Sequence, residues 1–156
     1  LANEVPNVVA VKNEVPADQF IASIARVGDR LRLFDSFLMR NPAAIGVLEH
    51  LGGDGFINGG AILGREAPEF YESVWRKDYE RAQAIAVRER EMGLILYDPK
   101  LQVQRYGRGY SSRLKAAMTI VGQDAGYPRL PLLPVDDPAS LADMTRRLDA
   151  LGLVKK

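Results

Sequence analysis

A chain of 156 residues that is 47% hydrophobic and 26% charged has the size and make-up of a single ordinary folded domain, not of a disordered or fibrous segment. It has no cysteine and a single histidine, His50, which excludes disulfides, thiolate nucleophiles and cysteine-ligated zinc; a metal would have to rest on carboxylates. Lys and Arg number 21 against 20 Asp and Glu, a formal charge of +1, so no general field draws nucleic acid or anionic membrane.

The opening Leu1-Ala2-Asn3-Glu4-Val5-Pro6 lacks the basic start and apolar core of a secretory signal. No apolar run reaches the roughly 18 residues of a membrane span, and with the missing cysteines this fits a cytoplasmic protein. From Asn7 to Lys12 the chain is short, β-branched and nearly continuously apolar, the pattern of a strand covered on both faces. Residues Pro16 to Val27 then change period, with Phe20, Ile21, Ile24 and Val27 on one helical face and Gly28 at the stop. A second strand is expected at Leu31 to Phe34. Asn41-Pro42 opens a helix carrying Ile45, Leu48 and Leu51, which ends at Gly52-Gly53. The third strand candidate is Gly55 to Asn58. Connections too long for hairpins make the three strands parallel, joined through crossovers.

From Glu66 to about Leu96 the sequence reads as one or two helices with a break near Lys77-Asp78, and Tyr79, Ala82, Ile85, Ala86 and Met92 form the apolar stripe. A polar connection from Asp98 to Gly109 precedes a helix from Ser111 to Val121. A loop punctuated by Gly126, Pro128, Pro131 and Pro134 follows. In the last helix Asp137 caps, Pro138 opens, Leu141, Met144, Leu148 and Leu151 face the core, and Gly152 ends the element. Residues 1–65 thus form a strand-bearing part and residues 66–156 a helical one. Three parallel strands do not complete a sheet, so further strands are expected from elsewhere.

Several segments carry a family resemblance. Pro6-Asn7-Val8-Val9-Ala10-Val11-Lys12 resembles the sixth strand of the dihydrodipicolinate synthase and N-acetylneuraminate lyase family, which ends in a lysine. Gly28 to Phe34 is similar to the entry of strand seven, and Leu51 to Ile57 to the passage into strand eight. Lys115-Ala116-Ala117, Arg129 to Leu132 and the closing Leu-Gly-Leu-Val resemble the family's C-terminal helices. The resemblance runs through the chain in order. It implies the C-terminal part of a (βα)8 barrel, an α/β fold, with strands six to eight followed by helices; a whole barrel takes about 250 residues. It also implies a missing N-terminal half, which would carry strands one to five and the family's catalytic tyrosine.

The same resemblance implies that Lys12 forms a Schiff base with pyruvate or a related 2-oxo acid. Apolar burial at the strand's end would favour the neutral, nucleophilic amine. Asp35 and Ser36 after the second strand, and Asn58 and Gly59 after the third, are implied as substrate-contacting, against the alternative that they are plain loop residues. The family's usual glycine near Asp35-Ser36 is absent here, and Asn13-Glu14 replaces an acidic-then-small pair. The leading activity is a dihydrodipicolinate synthase-like lyase or aldolase, with no cofactor, no metal and a homo-oligomeric assembly. The alternatives are a sugar-acid dehydratase such as 5-dehydro-4-deoxyglucarate dehydratase, and a non-catalytic barrel fragment with an assembly or regulatory role.

Other patterns weigh less. Gln104 to Tyr110, with Arg113 and Lys115, interleaves basic and aromatic residues in a way that can grip a phosphate backbone, but it reads better as a junction in the helical part. Gly52, Gly53, Gly55, Gly59 and Gly60 fit no dinucleotide or phosphate loop. Phe70, Tyr71 and Trp75 read as helix packing or an oligomer contact.

Overall fold

In the computed structural model, residues 4–13, 15–35, 44–57, 62–98 and 110–154 are described. Strands β1 (Ala10–Lys12), β2 (Arg32–Asp35) and β3 (Gly55–Phe56) pair in parallel in the order β1-β2-β3. They alternate with helices α1 (Ala17–Val27) and α2 (Ala44–Leu51), and α3 (Glu66–Trp75), α4 (Tyr79–Leu96), α5 (Tyr110–Ile120) and α6 (Pro138–Ala150) follow. This is the α/β pattern of part of a (βα)8 barrel, with three parallel strands and six helices among the described residues. None of those helices is long and apolar enough to cross a membrane.

By packing, the chain forms two units. One comprises residues 1–58 and 65–90; the other comprises 59–64 and 91–156. Division by strand content at residue 65 separates sheet from helices, whereas packing groups α3 and the first part of α4 with the strands. Apolar side chains explain that grouping: Ala67, Phe70, Tyr71, Val74, Ala82, Ile85 and Ala86 share one core with Phe20, Ile24, Leu33 and Leu48.

Within the first unit, β1 is shorter than the apolar run that announces it. Pro6 cannot donate to a strand ladder, and the Val8 amide turns back to the Val5 carbonyl at 3.1 Å, so pairing starts only where Arg32 N donates to Val9 O at 2.9 Å. The expected cover on both faces is also corrected. Val11 and Leu33 pack into the helix-side core, but Ala10, Lys12 and Arg32 on the other face are exposed, and Val9, just ahead of the strand, is 68% exposed. The helices of this unit dry one face of the sheet and leave the other open.

α1 is amphipathic as its spacing dictates, with Phe20 and Ile24 buried and Gly28 at its C-cap. In α2, Ala44 and Leu48 are buried and Leu51 is exposed; the Asn41-Pro42 opening lies outside the described residues. The break foreseen near Lys77 is present, with Lys77 at φ 63° and the Asp78 carboxylate accepting from Arg81 N at 3.2 Å to start α4. Across the α3–α4 turn, Arg81 grips Glu69 through Nε and Nη2 at 2.8 and 2.9 Å, and Arg88 meets Glu66 at 2.9 Å.

The second unit has its own core of Met92, Ile95, Leu96, Ala117, Val121, Met144 and Leu148. Asp137 caps α6 by accepting from Ser140 N at 2.8 Å, with Pro138 in the first turn. Arg147 bridges Asp98 at 2.7 Å, tying α6 to the end of α4.

Candidate active site at the strand ends

Pairing aligns the three strands at their carboxyl edge. Lys12 lies beside Phe34, and Phe34 beside Gly55, so these three form one cross-strand row; Asp35 and Phe56 form the next row outward. In parallel sheets such partners share a face, and successive residues alternate between faces. Lys12 therefore stands on the face away from the helices, while Val11 packs toward them. Phe56 returns to the helix side, its ring stacked on Tyr71 with centroids 5.4 Å apart.

Local hydrogen bonds hold the lysine's backbone. The Asn13 amide donates to Phe34 O at 2.8 Å, continuing the ladder one residue past Lys12. Its side-chain Nδ2 donates to Ser23 Oγ at 3.1 Å, and that hydroxyl donates to Gln19 O at 2.8 Å. The turn after β1 is thus pinned to α1, and Lys12 sits on a fixed strand end. Asn13, which stands out in the sequence only as a departure from the family pattern, is the anchoring residue.

Gly55 shapes the space in that row. A Cβ there would lie 3.4 Å from Phe34 Cδ1 and Cε1, on the side occupied by the phenyl ring. With glycine at this place, the row reads lysine, phenyl ring, vacant backbone, which leaves room beside Phe34 on the open face.

At the opposite, amino edge, Asp54 fastens the short β3. Its Oδ1 accepts from Arg32 Nη1 at 2.8 Å, its Oδ2 from Leu33 N at 2.9 Å, and its own amide donates to Leu33 O at 3.1 Å. Sequence reading missed this residue; the only available signal was an acid just ahead of a strand too short to hold its own register.

Among the candidate residues, Lys12 and Asp35 fall at the same edge on neighbouring strands, one row apart. Ser36, Asn58 and Gly59 lie outside the described residues. The apolar burial expected for Lys12 is not found: its side chain is exposed, because the helices cover only the other face. His50 is exposed on α2. Arg113 and Lys115 serve internal bonds, Arg113 donating to Asp98 O and Lys115 to Ala125 O, while residues 104–109 lie outside the description. Phe70 and Tyr71 are buried, whereas Trp75 is 58% exposed.

No family model matches the chain. Its fold is that of solved dihydrodipicolinate synthases: the enzyme from Thermotoga maritima superposes with a TM-score of 0.75 at 19% identity, over 98% of this chain and 49% of that one. A prophage protein of the dihydrodipicolinic acid synthase family from E. coli K12, solved with pyruvate, gives 0.78 at 14% identity, over 97% and 49%. In sequence, a Saccharopolyspora erythraea protein named probable 5-dehydro-4-deoxyglucarate dehydratase is 32% identical over 160 residues. The chain belongs to the dihydrodipicolinate synthase and N-acetylneuraminate lyase family. It corresponds to the family's C-terminal half, matching 97% of its own length to 48% of the dehydratase. The open face of β1 to β3 has a direct meaning in that family, since a closed barrel covers the inner face with its remaining strands and not with helices.

Proposed function

We propose that this chain supplies the Schiff-base half of a lyase acting on a 2-oxo acid, with Lys12 as nucleophile. The observation that carries the reading is Lys12 at the carboxyl end of β1, on the sheet face away from the helices. Active sites of (βα)8 barrels lie at that end of the strands. The Lys12 amine adds to the C2 carbonyl and water leaves, giving an iminium. That cation acidifies the proton on C3; its removal forms an enamine, which either attacks a second carbonyl or expels a hydroxyl from C4 as water. Hydrolysis of the iminium takes back one water and frees the lysine.

Water loss is the better supported of the two outcomes. The dehydratase relative shares 32% of residues across nearly the whole chain, whereas likeness to the condensing enzymes is one of fold. The sequence reading ranked condensation first, and this comparison moves the weight to dehydration of a sugar acid.

In the same proposal Asp35, Ser36, Asn58 and Gly59, which end or follow β2 and β3, contact the substrate. An N-terminal half with strands one to five encloses Lys12 and brings the acid–base group that moves the C3 proton. A homo-oligomer acting in the cytoplasm completes this reading.

The test is trapping. A protein with all its barrel strands, incubated with pyruvate and sodium borohydride and then mapped by peptide mass, is expected to carry the reduced adduct on Lys12 and to lose it in Lys12→Arg. Turnover of 2-oxo acids with Lys12 never modified would overturn the assignment. Comparing water release from 5-dehydro-4-deoxyglucarate with condensation of pyruvate separates the two outcomes.

A further inference from the structure

The second unit contains a cleft of about 460 Å³ that shares no residue with the strand ends. Its size falls in the range of about 300–1,000 Å³ usual for small-molecule sites. One wall is a single face of α5, made by Ser112, Lys115, Ala116, Thr119 and Ile120 at the i, i+3, i+4, i+7, i+8 spacing. The other walls come from the loop between α5 and α6 and from Leu141 of α6.

Two polar groups in the cleft have unused donor capacity. Ser112 is 1% exposed, and its hydroxyl has no hydrogen-bond partner among the described residues. A buried hydroxyl left unsatisfied is costly and calls for an acceptor. Lys115, one turn further along the same face, is half-buried; its ammonium has three donors, and the Ala125 carbonyl takes one. No described carboxylate lies within ion-pair distance of Lys115 Nζ. Thr119, Asp124 and Tyr127 add polar groups to the lining, and its apolar part comes from Ala116, Ile120, Pro134, Val135 and Leu141. The one acid among the described lining residues, Asp124, is exposed and accepts from Gly126 N at 2.9 Å.

We propose that this cleft binds a small monocarboxylate with a branched apolar body, its carboxylate taken by Lys115 and Ser112 and its hydrocarbon held against Ile120, Val135 and Leu141. A charge-assisted bond to a half-buried ammonium is stronger than a neutral one, and the unpaired Ser112 hydroxyl gains its missing acceptor. With one lysine as the only cation among the described lining residues, and Asp124 present, a second carboxylate on the ligand would go unpaired. The site therefore discriminates against dicarboxylates.

The probe is 4-methylpentanoate, titrated into the full chain and followed by amide chemical shifts. Saturable shifts of residues lining the cleft are expected, with binding at least tenfold weaker for 4-methylpentan-1-ol and for pentanedioate. Lys115→Met and Ala116→Leu, the first removing charge and the second filling the apolar space, should each abolish saturation, while Lys115→Arg restores it. Retained amide dispersion and thermal midpoint show that the variants are folded; if either variant unfolds, the alcohol and dicarboxylate comparison on the unaltered chain decides. Absence of saturable shifts in the unaltered chain, equal binding of the alcohol, or unchanged binding in folded Lys115→Met would overturn the proposal.

Discussion

Two glycine-to-alanine changes in the first unit should move stability in opposite directions, although each adds only one methyl group. Gly53, between α2 and β3, has φ +138°, where side chains are strained, and a Cβ there would sit 2.9 Å from Leu48 Cδ2 and 3.9 Å from Ile24 Cδ1. Both neighbours belong to the core, with Leu48 only 5% exposed. Backbone strain of about 2 kcal/mol and overpacking of a similar size, less about 0.7 kcal/mol from a stiffer unfolded chain, leave a net loss of about 3 kcal/mol. Gly46 lies inside α2, and a Cβ there meets nothing within 4 Å. Alanine should gain about 1 kcal/mol at that position through helix propensity. The two variants should thus differ by about 4 kcal/mol, or about 2 M in urea midpoint for a slope near 2 kcal/mol/M. Trp75, the chain's single tryptophan, lies in the first unit 6.0 Å from the Tyr71 ring and reports unfolding there by fluorescence. A Gly53→Ala midpoint at or above that of the unaltered chain, or a Gly46→Ala midpoint below that of Gly53→Ala, would refute the reasoning.

Two further predictions concern acid. The paired hydrogen bonds from Arg81 hold the Glu69 carboxyl below its ordinary value of 4.5, so its contribution to stability is complete above that value and fades as pH falls through the lower folded one. Urea midpoints of Glu69→Gln should accordingly lie below those of the unaltered chain at pH 7 and converge with them as the pH drops past 4.5; a constant gap down to full protonation contradicts the linkage. Asp137 is likewise held low, chiefly by its hydrogen bonds from Ser140, with the same sign. Asp137→Asn should keep the cap without its acid sensitivity, and Asp137→Ala should lose the cap, both read from hydrogen-exchange protection of the Ser140 amide followed from pH 7 down to below 3.8, the ordinary value of the carboxyl.

The helices were legible because their signals are local. Phe20 and Ile24 fall four residues apart, Lys77-Asp78 interrupts the stripe, and Asp137-Pro138 gives a cap and an opening in adjacent positions. The site was legible in part: Lys12 at a strand's end follows from where the apolar run stops. What surrounds it was not. A run such as Val8-Val9-Ala10-Val11 says that both faces will be dry, but not whether a helix or another strand dries each one, and here the core takes Val8 and Val11 and leaves Val9 and Ala10 exposed. The cleft beside α5 was hidden for a related reason. Arg113 and Lys115 belong to one basic and aromatic stretch in sequence, yet helical rotation turns Arg113 into a bond with Asp98 O and Lys115 toward the cleft.

The register of β1 decides which side of the sheet the candidate nucleophile occupies, and a slip of one residue would reverse it. Two main-chain bonds bracket that register, from Arg32 N to Val9 O and from Asn13 N to Phe34 O, and the Asn13–Ser23 bond fastens the exit. Shifted by one, Lys12 would point among Phe20, Ile24 and Leu33, where an ammonium pays a heavy desolvation penalty, and Val11 would be lost from the core. The observed register puts the amine on the face that the helices leave open. In the proposed barrel the closing strands lie over that face, so enclosure of Lys12 is a property of the assembled barrel. What this segment contributes is position: a lysine on a pinned strand end, in one row with Phe34 and the side-chain-free Gly55.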